Sequence, residues 1–325
     1  MTKAINNTEM YDTVIFRKRI DDYDSIVSIV ANLENAHEII SVKTGEVLGW
    51  NGYCRNLDVF VSHKYLRVNG SLPKYYIGNN VEKFSRLQAK EAIQSLSDTL
   101  HVNMNMANIT GLDFSATIKV NNPVPEYLSL FGSCSTFVKV FYGTTVYYNP
   151  TTKAKIKPTQ LCIYDKVAEC VDNKFPIPRE YINNNLLRYE LKLRQRLGMR
   201  FERVEIVGRT LYEPEFYALM MEKWVKTYFE INKNNVMRCD YMNNIKTPGD
   251  AFDAYVATLI SKADNGCFEA FVRELKYNKV FARTGNYNRL KEIFARINSN
   301  TLFTDSSSLI DELDKNIRDI GERGE

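Results

Sequence analysis

The chain has 325 residues, 44% hydrophobic and 25% charged, with a net charge of +4. That length holds one large domain or two, and the composition is that of a globular protein rather than a disordered or fibrous one. No apolar run approaches the roughly 20 residues of a membrane span. The weak overall charge does not announce nucleic acid, but its distribution is uneven. Residues 188–209 carry seven Lys or Arg against three Glu, whereas residues 305–325 carry seven acids and three bases. A basic middle and an acidic end fit a phosphate-binding surface followed by a solvated tail. The six cysteines form no Cys-x-x-Cys pair, which argues against zinc and thioredoxin-type chemistry. The polar opening shows no secretory leader, so a reducing cytoplasm is expected.

In chain order, residues 1–9 read as a loose tail, and Tyr11 to Arg19 as a strand. Residues 21–40 suggest a helix through Ile26, Ile29, Val30 and Leu33. Leu57–Val61 and Tyr65–Val68 read as strands, with Asn69-Gly70-Ser71 as a turn. From Val81 to Leu100 apolar residues recur at helical spacing. Ile109 to Val120 alternates: Leu112, Phe114, Ala116 and Ile118 face the core, and Asp113, Ser115 and Thr117 face out. Asn121-Asn122-Pro123 breaks the chain. Phe137 to Tyr148 reads as one strand, turned by Asn149-Pro150 and paired with a strand beginning near Leu161. Pro214 opens a helix to about Glu230. A polar stretch, 232–247, separates this part from four helices that begin near Pro248, Cys267, Tyr287 and Ser308. The expected architecture is α+β: a mainly antiparallel sheet with flanking helices over 10–235, then an all-α region over 246–325 with an acidic tail.

Two strands stand out. In Leu187-Arg188-Tyr189-Glu190-Leu191-Lys192-Leu193-Arg194 the odd positions face the core and the charged even positions face away. In Leu161-Cys162-Ile163-Tyr164-Asp165-Lys166-Val167-Ala168-Glu169, Leu161 and Ile163 face the core, while Cys162, Tyr164 and Lys166 share the other face. A tyrosine, a lysine, an arginine and a carboxylate would meet on one open sheet face. Solvated strand residues are the ordinary explanation of either stretch taken singly.

The pair together, Tyr164-x-Lys166-x-x-Glu169 followed by Arg188-Tyr189-Glu190, resembles the replication-initiation endonucleases of filamentous phages, the gene II/gene X family. It is similar, more loosely, to the trans-acting rolling-circle plasmid initiators. Ile109-Thr110-Gly111-Leu112-Asp113-Phe114 is similar to that family's acidic strand, and Met10-Tyr11-Asp12-Thr13-Val14-Ile15-Phe16-Arg17 to its start. The resemblance covers residues 10–235 and implies a nickase-like fold. It also implies a tyrosine endonuclease that cuts and rejoins one strand at an origin to start rolling-circle replication.

By that resemblance Tyr164 is the nucleophile that keeps the 5′ phosphate and frees a 3′ hydroxyl. A phenol is protonated at neutral pH, and a nearby cation favours phenolate. Lys166 is either that cation, a phosphate contact or a plain exposed lysine. The dispersed His37, His63 and His101 exclude a local two-histidine metal site, so oxygen ligands to Mg²⁺ or Mn²⁺ are expected. Asp113 and Glu190 are the candidates. Glu169 is a third, with a salt bridge to Lys166 as the equal alternative. His63 is more simply an exposed or satisfied histidine. DNA phosphates would meet Arg188, Lys192 and Arg194 on their strand and Lys153, Lys155 and Lys157 on the hairpin turn before the Tyr164 strand. Tyr142, Tyr147 and Tyr148 are candidates for stacking bases, though sheet packing accounts for some of them. A recognition helix at 286–297 is a poorer explanation than helical packing.

The implied partners are origin DNA as duplex, hairpin and single strand, a host helicase and polymerase, and a second copy of the chain. The implied setting is the cytoplasm of a bacterial host. Two alternatives stay open: a DNA-binding regulator of replication without catalysis, and a mobilisation relaxase with the same chemistry.

Overall fold

The computed structural model describes residues 8–134, 137–150, 158–262 and 267–322. Lys153, Lys155 and Lys157 lie outside them. The described strands of the main sheet are, in chain order, β1 (Thr8–Arg19), β2 (Glu34–Ile40), β3 (Val47–Cys54), β4 (Leu57–Val61), β5 (Tyr65–Ser71), β6 (Asn108–Val120), β7 (Phe131–Cys134), β8 (Phe137–Tyr142), β9 (Thr145–Pro150), β10 (Thr159–Asp165), β11 (Asn185–Arg194) and β12 (Ile231–Lys233). They lie side by side in the order β12-β7-β8-β9-β10-β11-β6-β1-β5-β4-β3-β2. Every pairing is antiparallel. With helices flanking the sheet and following it, the fold is α+β, as the alternation implies.

One face of the sheet is the core. Leu112, Phe114, Ala116 and Ile118 of β6 are buried there with Leu187, Tyr189, Leu191 and Leu193 of β11. The helix Arg86–Leu100 lays Ala89, Ile93 and Leu96 on this face, and the helix Pro214–Phe229 adds Tyr217, Met220, Trp224 and Tyr228. Trp224 sits at the centre. Its ring is 4.9 Å from that of Tyr189 and 6.2 Å from that of Phe114. Its Nε1 donates to the Tyr189 carbonyl at 3.4 Å, and the Tyr189 hydroxyl donates back to the Trp224 carbonyl at 3.3 Å. The buried indole and phenol therefore keep partners while their rings stay in the core.

The helix Ser308–Glu322 also enters this core through Leu313, Ile317 and Ile320. Its Asp314 accepts from the Tyr228 hydroxyl at 2.7 Å, and its Glu312 accepts from the Tyr127 hydroxyl at 2.5 Å. The helices Pro248–Lys262 and Thr284–Asn298 form a separate small cluster around Ala257, Ile260 and Ile297.

Several local expectations need correction. The helix expected over 21–40 stops at Ala31, and β2 follows from Glu34; Asn35, the second residue of β2, takes a left-handed φ of 53°. Asn69-Gly70-Ser71 is not a turn but the end of β5, and the chain reverses at His63-Lys64, where the Ser62 amide donates to the Tyr65 carbonyl at 3.0 Å. Gly70 is there for space: a Cβ would stand 2.8 Å from Leu57 Cδ2. The helix expected from Val81 begins at Arg86, where Ser85 and Gln88 form a capping box. Before it the Asn79 side chain accepts from the amides of Val81 and Glu82, which makes a tight loop. Phe137 to Tyr148 is a hairpin rather than one strand, with Gly143 at φ 57° in a two-residue turn.

Replacing Trp224 with alanine removes the piece on which β6, β11 and the Pro214–Phe229 helix converge. The expected loss is about 3–5 kcal/mol of unfolding free energy, read from the midpoint of a urea titration.

Candidate active site

The second face of the sheet carries the charged residues of β11 and their cross-strand neighbours. Register places Cys162 of β10 beside Glu190 and Ser115 of β6 beyond it; Tyr164, Arg188 and Thr117 form the next row. Lys192 lies opposite Asp113. The structure therefore brings Tyr164, Glu190, Arg188 and Lys192 together, as the alternation of the two strands predicts.

The expectation of an open face is wrong. Arg188 has no exposed surface, and Tyr164, Glu190 and Asp113 are each at most 8% exposed. The cover comes from two segments. The loop before Ser85 brings Val81 onto Leu186, and a helix over Lys166–Asp172 brings Val167 and Cys170 against the same residue. That helix is a second correction. β10 ends at Asp165, whose carboxylate accepts from the amides of Val167 and Ala168 at 2.9 and 3.0 Å and caps the helix. Lys166 is thus a buried first-turn helix residue, not a strand residue beside Tyr164.

Arg188 is the centre of the polar layer. Its Nε donates to Glu190 Oε1 at 2.9 Å. One terminal nitrogen donates to the Asn80 carbonyl at 2.6 Å and Thr117 Oγ1 at 2.9 Å. The other donates to Asp12 Oδ2 at 2.6 Å and Ser115 Oγ at 2.7 Å. Asp12 also accepts from Ser71 Oγ at 2.5 Å and from the Asn80 amide group at 2.9 Å. Lys192 Nζ lies 3.0 Å from Glu190 Oε2, and the Tyr164 hydroxyl donates to Glu190 Oε1 at 2.7 Å. A buried charge persists only with such partners.

These neighbours set the protonation states. Burial pushes the Glu190 carboxyl up, but Lys192 and Arg188 outweigh it and hold the group well below the usual carboxylate range. Glu190 in turn raises the Lys192 ammonium. Burial, reinforced by Glu190, raises the Tyr164 phenol well above its ordinary value. Lys166 does not counter this. Its ammonium is 6.0 Å from the Tyr164 ring centroid and pairs with Glu169 at 2.8 Å. The expectation that Lys166 favours phenolate is therefore not met, and Glu169 takes the salt-bridge alternative.

The expected oxygen ligands do not converge on an ion. Arg194 grips both oxygens of Asp113, one at 3.0 Å; Glu190 is shared by Arg188, Lys192 and Tyr164; Glu169 is held by Lys166. Carboxylates already neutralised by cations do not fit a divalent metal in this arrangement. Among the described residues no group of three or more His, Cys, Asp or Glu could hold one. His63 stacks on Tyr23 with centroids 6.0 Å apart.

Of the strand cations expected to bind DNA, Arg188 is consumed by the buried network, while Lys192 and Arg194 keep 29% and 22% side-chain exposure. Of the tyrosines, Tyr148 is buried and donates to the Gly132 carbonyl at 2.6 Å, so it packs rather than stacks on bases. Tyr147 lies opposite Cys162 on the polar face, and Tyr142 is 78% exposed beside the hairpin turn. Sequence reasoning misses Asp12 and Asn80. Asp12 has a signal, a single acid inside the apolar run Tyr11-Asp12-Thr13-Val14. Asn80 sits in a loop with none.

Residues 53–213 match a family model described as the N-terminal region of a replication-associated protein, a span just short of half the chain. That span contains Asp113, Tyr164 and Glu190, and it supports the broad resemblance drawn from the strands. No curated protein matches. Among solved structures, a rolling-circle replication initiator protein from Geobacillus stearothermophilus is similar at 11% identity, covering 67% of this chain and 85% of that one with a TM-score of 0.37.

Two outcomes test the polar layer. Arg188→Met leaves Asp12 buried without its cation and Glu190 with Lys192 alone, and should cost about 3–5 kcal/mol of stability in urea. The pH dependence follows from Glu190. Its folded pKa lies below the ordinary 4.5, so its contribution is complete above that pH and is lost as pH falls. Asp113, raised by burial beyond what Arg194 offsets, works in the opposite sense. Glu190→Gln should therefore flatten the fall in unfolding free energy below about pH 4.5; a slope equal to that of wild type contradicts the assignment.

Proposed function

We propose that this chain initiates rolling-circle replication by nicking and rejoining one strand of origin DNA through a phosphotyrosine at Tyr164. The observation that carries the proposal is the 2.7 Å hydrogen bond between the Tyr164 hydroxyl and Glu190, inside the span that matches the replication-associated family. The chemistry is assigned to 10–235, onto whose core the helix Ser308–Glu322 packs. The gene II/gene X relationship, the origin, a host helicase and polymerase, and a homodimer are part of the proposal.

In the proposed reaction Tyr164 Oη bonds to phosphorus, the bond to the 3′ oxygen breaks, the 3′ oxygen leaves and takes a proton from water to become a free hydroxyl, and the 5′ phosphate stays on the tyrosine. Glu190 is ionised at neutral pH and accepts the phenol proton. It is a weak base, so the proton leaves only as the oxygen–phosphorus bond forms. Lys192, partly exposed beside Glu190, faces the negative charge of the scissile phosphate. Because Tyr164 is buried, the phosphate reaches it only when the 78–85 loop and the 166–172 helix give way. No step is assigned to a metal ion.

One observation favours a second reading, a DNA-binding regulator without catalysis: Tyr164 is buried and Glu190 is saturated by partners. The two readings separate on one substitution. Tyr164→Phe removes a single hydrogen bond, worth about 1 kcal/mol to a structural tyrosine. If Tyr164 is the nucleophile, the variant folds and binds DNA but neither relaxes supercoiled origin plasmid nor becomes joined to a 5′ end, with Mg²⁺ or Mn²⁺ present or absent. Wild-type nicking by the variant contradicts the proposal.

A further inference from the structure

The polar face continues beyond the Asp113–Arg194 pair into a cleft of about 710 Å³, walled by residues 195–198 and 204–206. Its floor crosses β11, β6, β1 and β5. Gly111 lies between Arg194 and Ile15 in the register, and a Cβ there would stand 2.6 Å from Ile15 Cδ1 and 2.9 Å from Arg194 Cδ. Glycine thus lets the two side chains meet over the middle strand.

The charges of this cleft are unbalanced. Arg17, Arg67, Arg194 and Arg196 line it, with Glu205 the one carboxylate among the lining residues. Arg194 is matched by Asp113, and Arg67 shares Asp58 at 3.2 Å. Arg17 and Arg196 have no ion-pair partner among the described residues. Moreover, Arg17 and Arg67 are directly opposed on β1 and β5. Like charges in that position are destabilising, and an anion between them removes the cost. The Arg17 guanidinium lies over the Tyr65 ring, 4.2 Å from its centroid. It therefore presents a flat cation on which an unpaired base can stack.

The cleft is also well placed. The strands run β10-β11-β6-β1-β5. At about 4.8 Å per strand the cleft's far wall lies about 19 Å from β10. A nucleic-acid strand laid across the sheet would run from the Arg17–Tyr65 stack past Arg194 and Lys192 to Tyr164.

We propose that this cleft binds single-stranded DNA flanking the scissile phosphate, with Arg17, Arg67 and Arg196 on the backbone and one base on the Arg17–Tyr65 stack. The inference rests on the function proposed above, but its test is separate. The probe is fluorescein-labelled oligothymidylate, titrated with the full chain by anisotropy over a range of NaCl. For the double variant Arg17→Gln/Arg196→Gln the slope of log affinity against log salt should fall by about 1.4, about 0.7 for each phosphate no longer neutralised. Tyr65→Leu should weaken binding about tenfold and leave the slope unchanged. If both variants bind as wild type does while Tyr164-dependent nicking persists, the cleft assignment fails and the function stands. If single-strand binding depends on these residues but no covalent adduct forms, the cleft stands and the nicking reaction fails.

Discussion

A guanidinium with no access to water organises one whole face of the sheet. Arg188 is fully buried and spends its donors on Asp12, Glu190, Ser115, Thr117 and the Asn80 carbonyl. A buried arginine cannot shed its proton, so the charge must be met where it stands. Asp12 and Glu190 meet it from either side, one from β1 and one from β11 itself. Both carboxylates depend on Arg188 in return. The arrangement ties β1, β6 and β11 by side chains as well as by their backbone ladders. It also pins the Asn79-Asn80 loop over the polar face.

Tyr164 follows from that network. Glu190 is fixed by Arg188 and Lys192, so its Oε1 is a fixed acceptor for the phenol. Tyr164 is thereby oriented but also protonated, since burial and a neighbouring carboxylate both oppose phenolate. In the reaction proposed above, activation of this tyrosine would need the incoming phosphate itself, with the proton passing to Glu190 as phosphorus meets the oxygen. Further along the same face the balance changes. Past Arg194 the arginines are exposed and partly unmatched, so one half of the face is closed by its own ion pairs and the other holds unbalanced positive charge.

The strands of the site are legible in the sequence because period-two alternation is strong in them. Leu187, Tyr189, Leu191 and Leu193 against Arg188, Glu190, Lys192 and Arg194 leaves only the register undetermined, and Asp113 and Tyr164 fall on the face expected. The closure of that face is not legible. It depends on residues 79–85 and 166–172 folding over β11, contacts that no local pattern encodes. Lys166 is misplaced by periodicity alone, because the alternation of β10 continues past the point where the strand ends. The local competitor is Asp165, a helix cap whose side chain satisfies two amides. Asp12 escapes notice for a related reason: strict alternation puts it on the core face with Val14 and Phe16, and a register shift between Tyr11 and Val14 carries it to the polar face instead.

At the centre stands the claim that the phenol held by Glu190 is the atom that bonds to DNA. The most direct measurement is mass spectrometry of protease digests of the wild-type protein after incubation with supercoiled plasmid carrying the DNA that flanks its own coding sequence. A nucleotide adduct is expected on the peptide that contains Tyr164. An adduct on Tyr142, Tyr147 or Tyr189 instead would contradict the claim.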